Sequence, residues 1–271
     1  MVILHFEDDI MAQIRTIFLI AGNTVTGVLR GVVLNVLLVL AALMILAATS
    51  TSTFEQGQAR PMLVDSGLAF ITVMGAMIAI LTGFILIPRE IETRTLYPLI
   101  SKPVRRWQFV LGKFLGAIGI NGITVGLLAI LFFGVFFLKF KTFDGNLLLA
   151  VVMIYAMLVV LSGLILFFST FMSWIGTIIV SMVVWFISSY SLFLRDLSNS
   201  HGDAPMFSKV MFQVVQKLLP NFQAMDLRMH LIQNGGIPIE LRQLLDPLAG
   251  NLLYLVIALA LAILIFNYRE V

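Results

Sequence analysis

Residues 145–194 read GNLLLAVVMIYAMLVVLSGLILFFSTFMSWIGTIIVSMVVWFISSYSLFL, without one Asp, Glu, Lys, Arg or His. A helix that crosses the hydrocarbon core of a bilayer needs about 20 apolar residues. This run is too long for one crossing and suits two. Ser169, Thr170 and Ser173 interrupt the aliphatic residues and mark the joint, which predicts helices at 146–168 and 174–194. Working outward, further uncharged stretches lie at 31–49 and at 66–88, the latter stopped by Arg89 and Glu90. Another helix spans 107–138, with an apolar core from Phe114 to Leu138 closed by Lys139 and Lys141, and the last covers 248–268, closed by Arg269 and Glu270. The expectation is an all-α polytopic membrane protein, one domain over 1–271, with about six transmembrane helices.

Composition supports this. Of 271 residues, 60% are hydrophobic and 11% charged, whereas a soluble domain carries about a quarter charged residues because its surface faces water. No cysteine is present, which excludes disulfides, thiolate metal sites and cysteine nucleophiles. The formal charge of +3 does not point to nucleic acid, because no basic patch alternates with aromatics in the manner of a single-strand binder. Basic residues in a membrane protein mark cytoplasmic loops instead.

Orientation follows from those residues. The short loop between the second and third spans holds Arg89, Arg94, Lys102, Arg105, Arg106 and Lys113, so the positive-inside rule places it in the cytoplasm. With six spans both termini are then cytoplasmic. The segment 195–247 falls outside, where its own basic residues weigh less because long loops translocate largely regardless of charge. Met1 to Ile10 is not a signal peptide, since Glu7, Asp8 and Asp9 occupy the place of a positive n-region.

Two segments outside the spans have visible periodicity. Ile10, Met11, Ile14, Ile17, Phe18 and Ala21 recur at helical spacing, predicting an amphipathic interfacial helix within 1–27 on the cytoplasmic leaflet. In the outer loop, apolar pairs repeat from Met206/Phe207 to Leu218/Leu219, between Pro205 and Pro220. Asp226 to Gln233, followed by Gly235 and Gly236, forms a second short helix. Both are expected to cap the spans before the last helix.

What is missing narrows function. The apolar cores of the spans hold no ionisable group, which argues against a proton relay within the membrane. Asn35, Asn121, Tyr155, Ser162 and Asn251 are the polar groups left inside, and interhelical hydrogen bonding is their ordinary role. The only Gly-Lys step, Gly112-Lys113, is followed by Phe114 and lacks the upstream glycine of a phosphate-cradling loop. His5, His201 and His230 are isolated, so no base stands ready to activate a nucleophile. No enzyme activity is expected, and energy must come from another subunit. Fourteen methionines raise a Cu(I) alternative, with Met225, Met229 and His230 as its best external cluster. Methionine is also an ordinary filler of apolar gaps, and no metal site is assigned.

The loop of residues 88–116 reads PREIETRTLYPLISKPVRRWQFVLGKFLG. It resembles the loop after the second span of ABC-2-type permeases, membrane subunits of bacterial ABC exporters. Glu90, Glu92, Thr95 and Leu96 match the first part of that family's pattern; Ser101, Pro103, Val104, Arg106, Gly112 and Lys113 match the second. Arg94 stands where the family usually has a small residue, and Pro98 interrupts the short helix expected there. Independently of the resemblance, Pro88 and Pro103 bracket a stretch too polar for lipid. Within it, apolar side chains rimmed by charge are what a docking element presents to a partner.

The resemblance implies a permease of an ATP-binding cassette transporter, an exporter in the plasma (inner) membrane of a prokaryote. It implies that the loop 89–106 docks on separate ABC ATPase subunits through Glu90, Glu92, Arg94, Thr95, Leu96, Tyr97 and Leu99. Pro103, Arg105, Arg106 and Lys113 would anchor the loop among lipid headgroups. This chain needs no cofactor of its own; ATP and Mg belong to the partner. A second permease copy or a related permease would complete the transporter. The substrate path would run along the second and fifth spans, where Phe70, Met74, Met77 and Phe84 could face it. Ser101 with Pro103 would start the cytoplasmic extension of the third span. Two alternatives are a non-transporting scaffold for an ATPase that acts mechanically on an extracellular partner, and a secondary transporter.

Overall fold

The computed structural model describes residues 2–51, 59–86, 105–142, 144–191, 218–233 and 240–268. Among them every regular element is helical and no strand occurs. The chain order is α1 (Val2–Leu29), α2 (Val32–Thr51), α3 (Ala59–Leu86), α4 (Arg106–Phe140), α5 (Gly145–Ser169) and α6 (Trp174–Ser189). A 3₁₀ turn (Gln223–Met225), α7 (Arg228–Gln233) and α8 (Leu241–Tyr268) follow.

Four stretches are long and apolar enough to cross a membrane: Ala59–Gly83, Arg106–Phe140, Gly145–Ser169 and Leu241–Tyr268. Gln13–Leu29 and Leu34–Ala48, bent by 65° at their junction, add a fifth if the pair acts as one span. That makes four or five candidates by length and composition where six were expected. The difference lies in α2, which qualifies only together with α1, and in α6, which has 16 residues; at 1.5 Å per residue α6 is about 24 Å long, short of the roughly 30 Å of a hydrocarbon core. The break before it falls where the hydroxyl residues interrupt the apolar run: α5 ends at Ser169, and the Ser173 side chain caps α6 by accepting from the Gly176 N–H.

Two helices reach further than charge placement suggested. α3 begins at Ala59, although Arg60 and Asp65 precede the uncharged stretch. Arg60 pairs with Asp144 at 2.9 Å, and Asp65 lies 3.8 Å from Arg228, so both charges are paired at the start of the helix, before the uncharged stretch. α8 starts at Leu241 and carries Pro247 in its seventh position. The proline costs one backbone bond; its carbonyl accepts from the Asn251 amide at 2.8 Å.

The core lies between α2, α3, α4, α5, α6 and α8. α5 is its centre, with Leu158, Leu161 and Leu166 fully enclosed. Close approach depends on residues without side chains. A Cβ at Gly83 would lie 2.1 Å from Ile165 Cγ2, and one at Gly75 2.7 Å from Leu158 Cδ1, so α3 receives knobs from α5. A polar knot joins α4 to α5. Asn121 Nδ2 donates to Ser162 Oγ at 2.7 Å and to the Leu158 carbonyl at 3.3 Å, and Tyr155 donates to the Ile118 carbonyl at 3.3 Å. Buried amides and hydroxyls need such partners where water is absent. Asn35 differs, being exposed.

The 218–233 segment closes one end of the bundle. Phe222 and Met225 are buried in the main core, and the Asn221 carbonyl accepts from Asn251 Nδ2 at 3.1 Å. The helix expected at 226–233 is present as Arg228–Gln233; most of the preceding expected helix, and Gly235 with Gly236, lie outside the described residues.

Candidate functional site

The connection from α3 to α4 is the candidate site. Glu90, Glu92, Arg94, Thr95, Leu96, Tyr97, Leu99 and Pro103 lie outside the described residues. Its foot, from Arg105 onward, is described in full.

Ser101 and Pro103, the expected start of the third span's cytoplasmic extension, lie outside the described residues. Arg105 has an extended backbone (φ −70°, ψ 141°), and α4 begins at Arg106. The physical reason is the cap: the Arg105 backbone N–H donates to Gln108 Oε1 at 3.0 Å, the reach-back half of a capping box. Gln108 itself is buried, which holds that cap against the bundle.

One face of the first turns of α4 meets the end of α8. Arg106 donates from Nη1 to the carbonyls of Phe266 at 3.1 Å and Asn267 at 2.9 Å. Those carbonyls belong to the last described turn of α8, and helix carbonyls carry partial negative charge. One turn further on, Phe109 stacks on Phe266, with ring centroids 5.6 Å apart and planes 16° apart. Lys113 then lays its ammonium 5.4 Å from the centre of the Phe109 ring. Of the three basic residues expected at headgroup level, Arg105 and Arg106 are exposed while Lys113 is only 6% exposed and enclosed by protein.

A second face of the same turns meets α1. A Cβ at Gly112 would lie 2.8 Å from Ile20 Cβ, and one at Gly116 2.8 Å from Thr24 Cβ. Thr24 turns its hydroxyl back to the Ile20 carbonyl at 2.8 Å and so presents its carbon face to α4. α1 therefore packs through Ile20, Ala21 and Thr24, while Met11, Ile14 and Phe18 of the expected apolar stripe are exposed.

The other sequence-derived candidates are dispersed. Met74 is buried in the core, and Phe70 and Met77 are half-buried against it; Phe84 falls in α3, with its side chain outside the described residues. Met225 is buried while Met229 is 69% exposed, so the pair shares no common environment. No group of three His, Cys, Asp or Glu that could hold a metal occurs among the described residues.

The sequence assigned no role to Arg228. It is clasped by Asp226, which accepts from Nε at 2.9 and 2.8 Å and from Nη2. Burial works to lower the Arg228 pKa, but the hydrogen bonds and charge of Asp226, with Asp65 and Tyr190, outweigh it and hold the pKa above its ordinary value. This pair lines a cavity of about 110 Å³ together with Thr72, Trp185, Ser189 and Tyr190. Trp185 Nε1 and Ser189 Oγ find no hydrogen-bond partner among the described residues, and the cavity is polar and roomy enough to admit water. An Asp and Arg two positions apart was the available signal. The Arg106 contact had none, because its partners stand 160 and 161 residues away.

With the bundle and the loop's foot in place, comparison with known families decides the assignment. Residues 43–268 match the ABC-2 family transporter protein family. The chain belongs to that family. The match runs from within α2 to the last residue of α8 and takes in the whole loop. No curated protein matches the chain. As an ABC-2 protein the chain is a multi-pass membrane component of an ABC transporter, its permease subunit, and the family pairs with an ABC ATPase subunit. Family members of this kind are transporter components and typically not catalysts.

Proposed function

We propose that this ABC-2 permease is an exporter subunit driven by a separate ATPase that docks on residues 89–106. In this arrangement it has six spans, with α6 as the fifth, both termini in the cytoplasm of a prokaryote, and α1 lying on the inner leaflet through its exposed Met11, Ile14 and Phe18. Two copies, or one copy and a related permease, recruit two ATPase subunits. Glu90, Glu92, Arg94, Thr95, Leu96, Tyr97 and Leu99 form the contact. Cargo moves between the permeases along the second and fifth spans, past Phe70, Met77 and Phe84. The absence of ionisable groups from the apolar cores suits a hydrophobic or amphiphilic cargo. ATP and Mg stay in the partner.

The observation that carries this is the order of acidic, threonine-leucine, serine-proline and glycine-lysine steps in residues 88–116, inside the family match. Headgroup anchoring alone would require neither Glu90 nor Glu92. ATP-driven closure of the ATPase pair would displace the loop, and transport follows if the two permease states differ in their affinity for the closed pair.

The test is co-expression with the ATP-binding cassette protein of the neighbouring reading frame. Wild-type chain should retain that ATPase through detergent purification, and Glu90→Lys should lose it while still inserting in the membrane. Unchanged recovery with Glu90→Lys overturns the docking role. ATPase recruitment and stimulation without movement of any amphiphile in proteoliposomes would replace the exporter by a scaffold. Transport by the chain alone would replace both by a secondary transporter.

A further inference from the structure

We propose that Arg106 is a positioning residue that fastens the end of α8 to the exit of the 89–106 loop, so that loop displacement is delivered to α4, α8 and α1 as one body. The inference rests on the ATPase-docking role of the loop.

Arg106 is the first residue of α4 and stands directly at the loop's exit. Its guanidinium reaches the last carbonyls of α8, at Phe266 and Asn267. A planar guanidinium that donates to two successive helix carbonyls meets their partial negative charge. Arg106, Phe109 and Lys113 are spaced three and four apart and therefore share one face of α4. That face presents in turn a guanidinium to the α8 terminus, a ring to Phe266 and an ammonium to that same ring. The Gly112 and Gly116 positions close on α1 at a separation that no Cβ could occupy without a shift.

The start of α4 is thus gripped from two sides within about three turns. A force arriving at Arg106 cannot tilt α4 there without breaking the Arg106 bonds or opening the α1 seam. On the other side of the loop, the described end of α3 closes on α5 at Gly83, opposite Ile165.

The chain has no cysteine, so an introduced pair is unique within it, and reagent effects on the ATPase are read from the same complex without the pair. Phe109→Cys with Phe266→Cys, in the full chain co-purified with its ATPase and reconstituted in proteoliposomes, is bridged by a short bifunctional methanethiosulfonate. Bridging should proceed equally without nucleotide and with Mg-ATP trapped by orthovanadate, and should leave ATP hydrolysis within twofold of the unbridged pair. Bridging in one nucleotide state only, or a loss of hydrolysis beyond tenfold, overturns the inference. In parallel, Arg106→Ala should keep the ATPase bound yet lower permease-dependent stimulation of hydrolysis by fivefold or more, with Arg106→Lys recovering at least half. Wild-type stimulation by Arg106→Ala also overturns it. If Arg106→Ala fails to fold, the bridged pair decides. Failure of the docking role itself would show separately, as wild-type chain that retains no ATPase.

Discussion

α5 and α8 look alike as sequence and differ as structure. Both are uninterrupted apolar helices across their central stretch, of 25 and 28 residues, yet the most apolar stretch of α5 is 67% buried within the bundle and that of α8 is 22% buried. In water such a contrast would be read from an amphipathic stripe. In a bilayer it cannot be, because lipid tails are as apolar as leucine and give no hydrophobic reason to pack. Small residues and polar pairs make the difference. α5 offers Ser162 to Asn121 and sends Leu158 and Ile165 against glycines of α3. α8 touches the bundle along Asn251, Leu255, Ala258, Ala262 and Phe266, and shows Leu253, Val256 and Leu264 to its surroundings.

A matched pair of truncations probes this contrast at its widest. Leu161→Ala, at a fully buried position of α5, should cost about 2 kcal/mol or more, because an enclosed cavity is left that lipid cannot fill. A thermal unfolding midpoint in detergent within error of wild type would show that α5 is not the centre. Gly83→Leu attacks the same seam by overpacking and should cost about 1–3 kcal/mol, read as a lowered midpoint, unless α3 and α5 can part. Asn121→Leu removes the bonds to Ser162 and Leu158 and should cost about 0.6–1.7 kcal/mol. If Ser162→Ala added to Asn121→Leu costs as much again, the two side chains do not act as a pair. The smallest effect is the control: Leu253→Ala, at a position 61% exposed on α8, should stay within about 0.5 kcal/mol of wild type. A larger loss would mean that this face of α8 is covered by a partner in the purified protein.

Element identity was legible because α3, α4, α5 and α8 each hold a long uncharged run, bounded by charge or, between α5 and α6, by hydroxyl residues. The joint at 169–173 was equally plain, since Ser173 is both an interruption in the apolar pattern and a cap. Helix ends were less so. α3 and α8 run outward past Asp65 and Pro247: partners distant in sequence accommodate the charges of α3, and α8 continues through Pro247 at the cost of one backbone bond. At the candidate site, sequence order picked out the foot residues Arg105, Arg106 and Lys113. It could not foresee that Lys113 is enclosed and that Arg106 spends its guanidinium on the end of α8. Charge pattern indicates that a residue is basic and near a span; whether it meets headgroups, a ring or a helix terminus depends on which helix passes beside it.

By itself the sequence determined what this chain is dissolved in and how it is cut into helices, because the cost of exposing a charge or an unpaired amide to hydrocarbon is local and large. It also carried, in residues 88–116, the pattern that the family match encloses. Only the tertiary structure decided which helix stands at the centre, which glycines are closed upon, and what grips the loop's exit. Those choices turn on differences of about 1 kcal/mol between packing partners that lipid makes nearly equivalent, and no count of apolar residues along the chain can rank them.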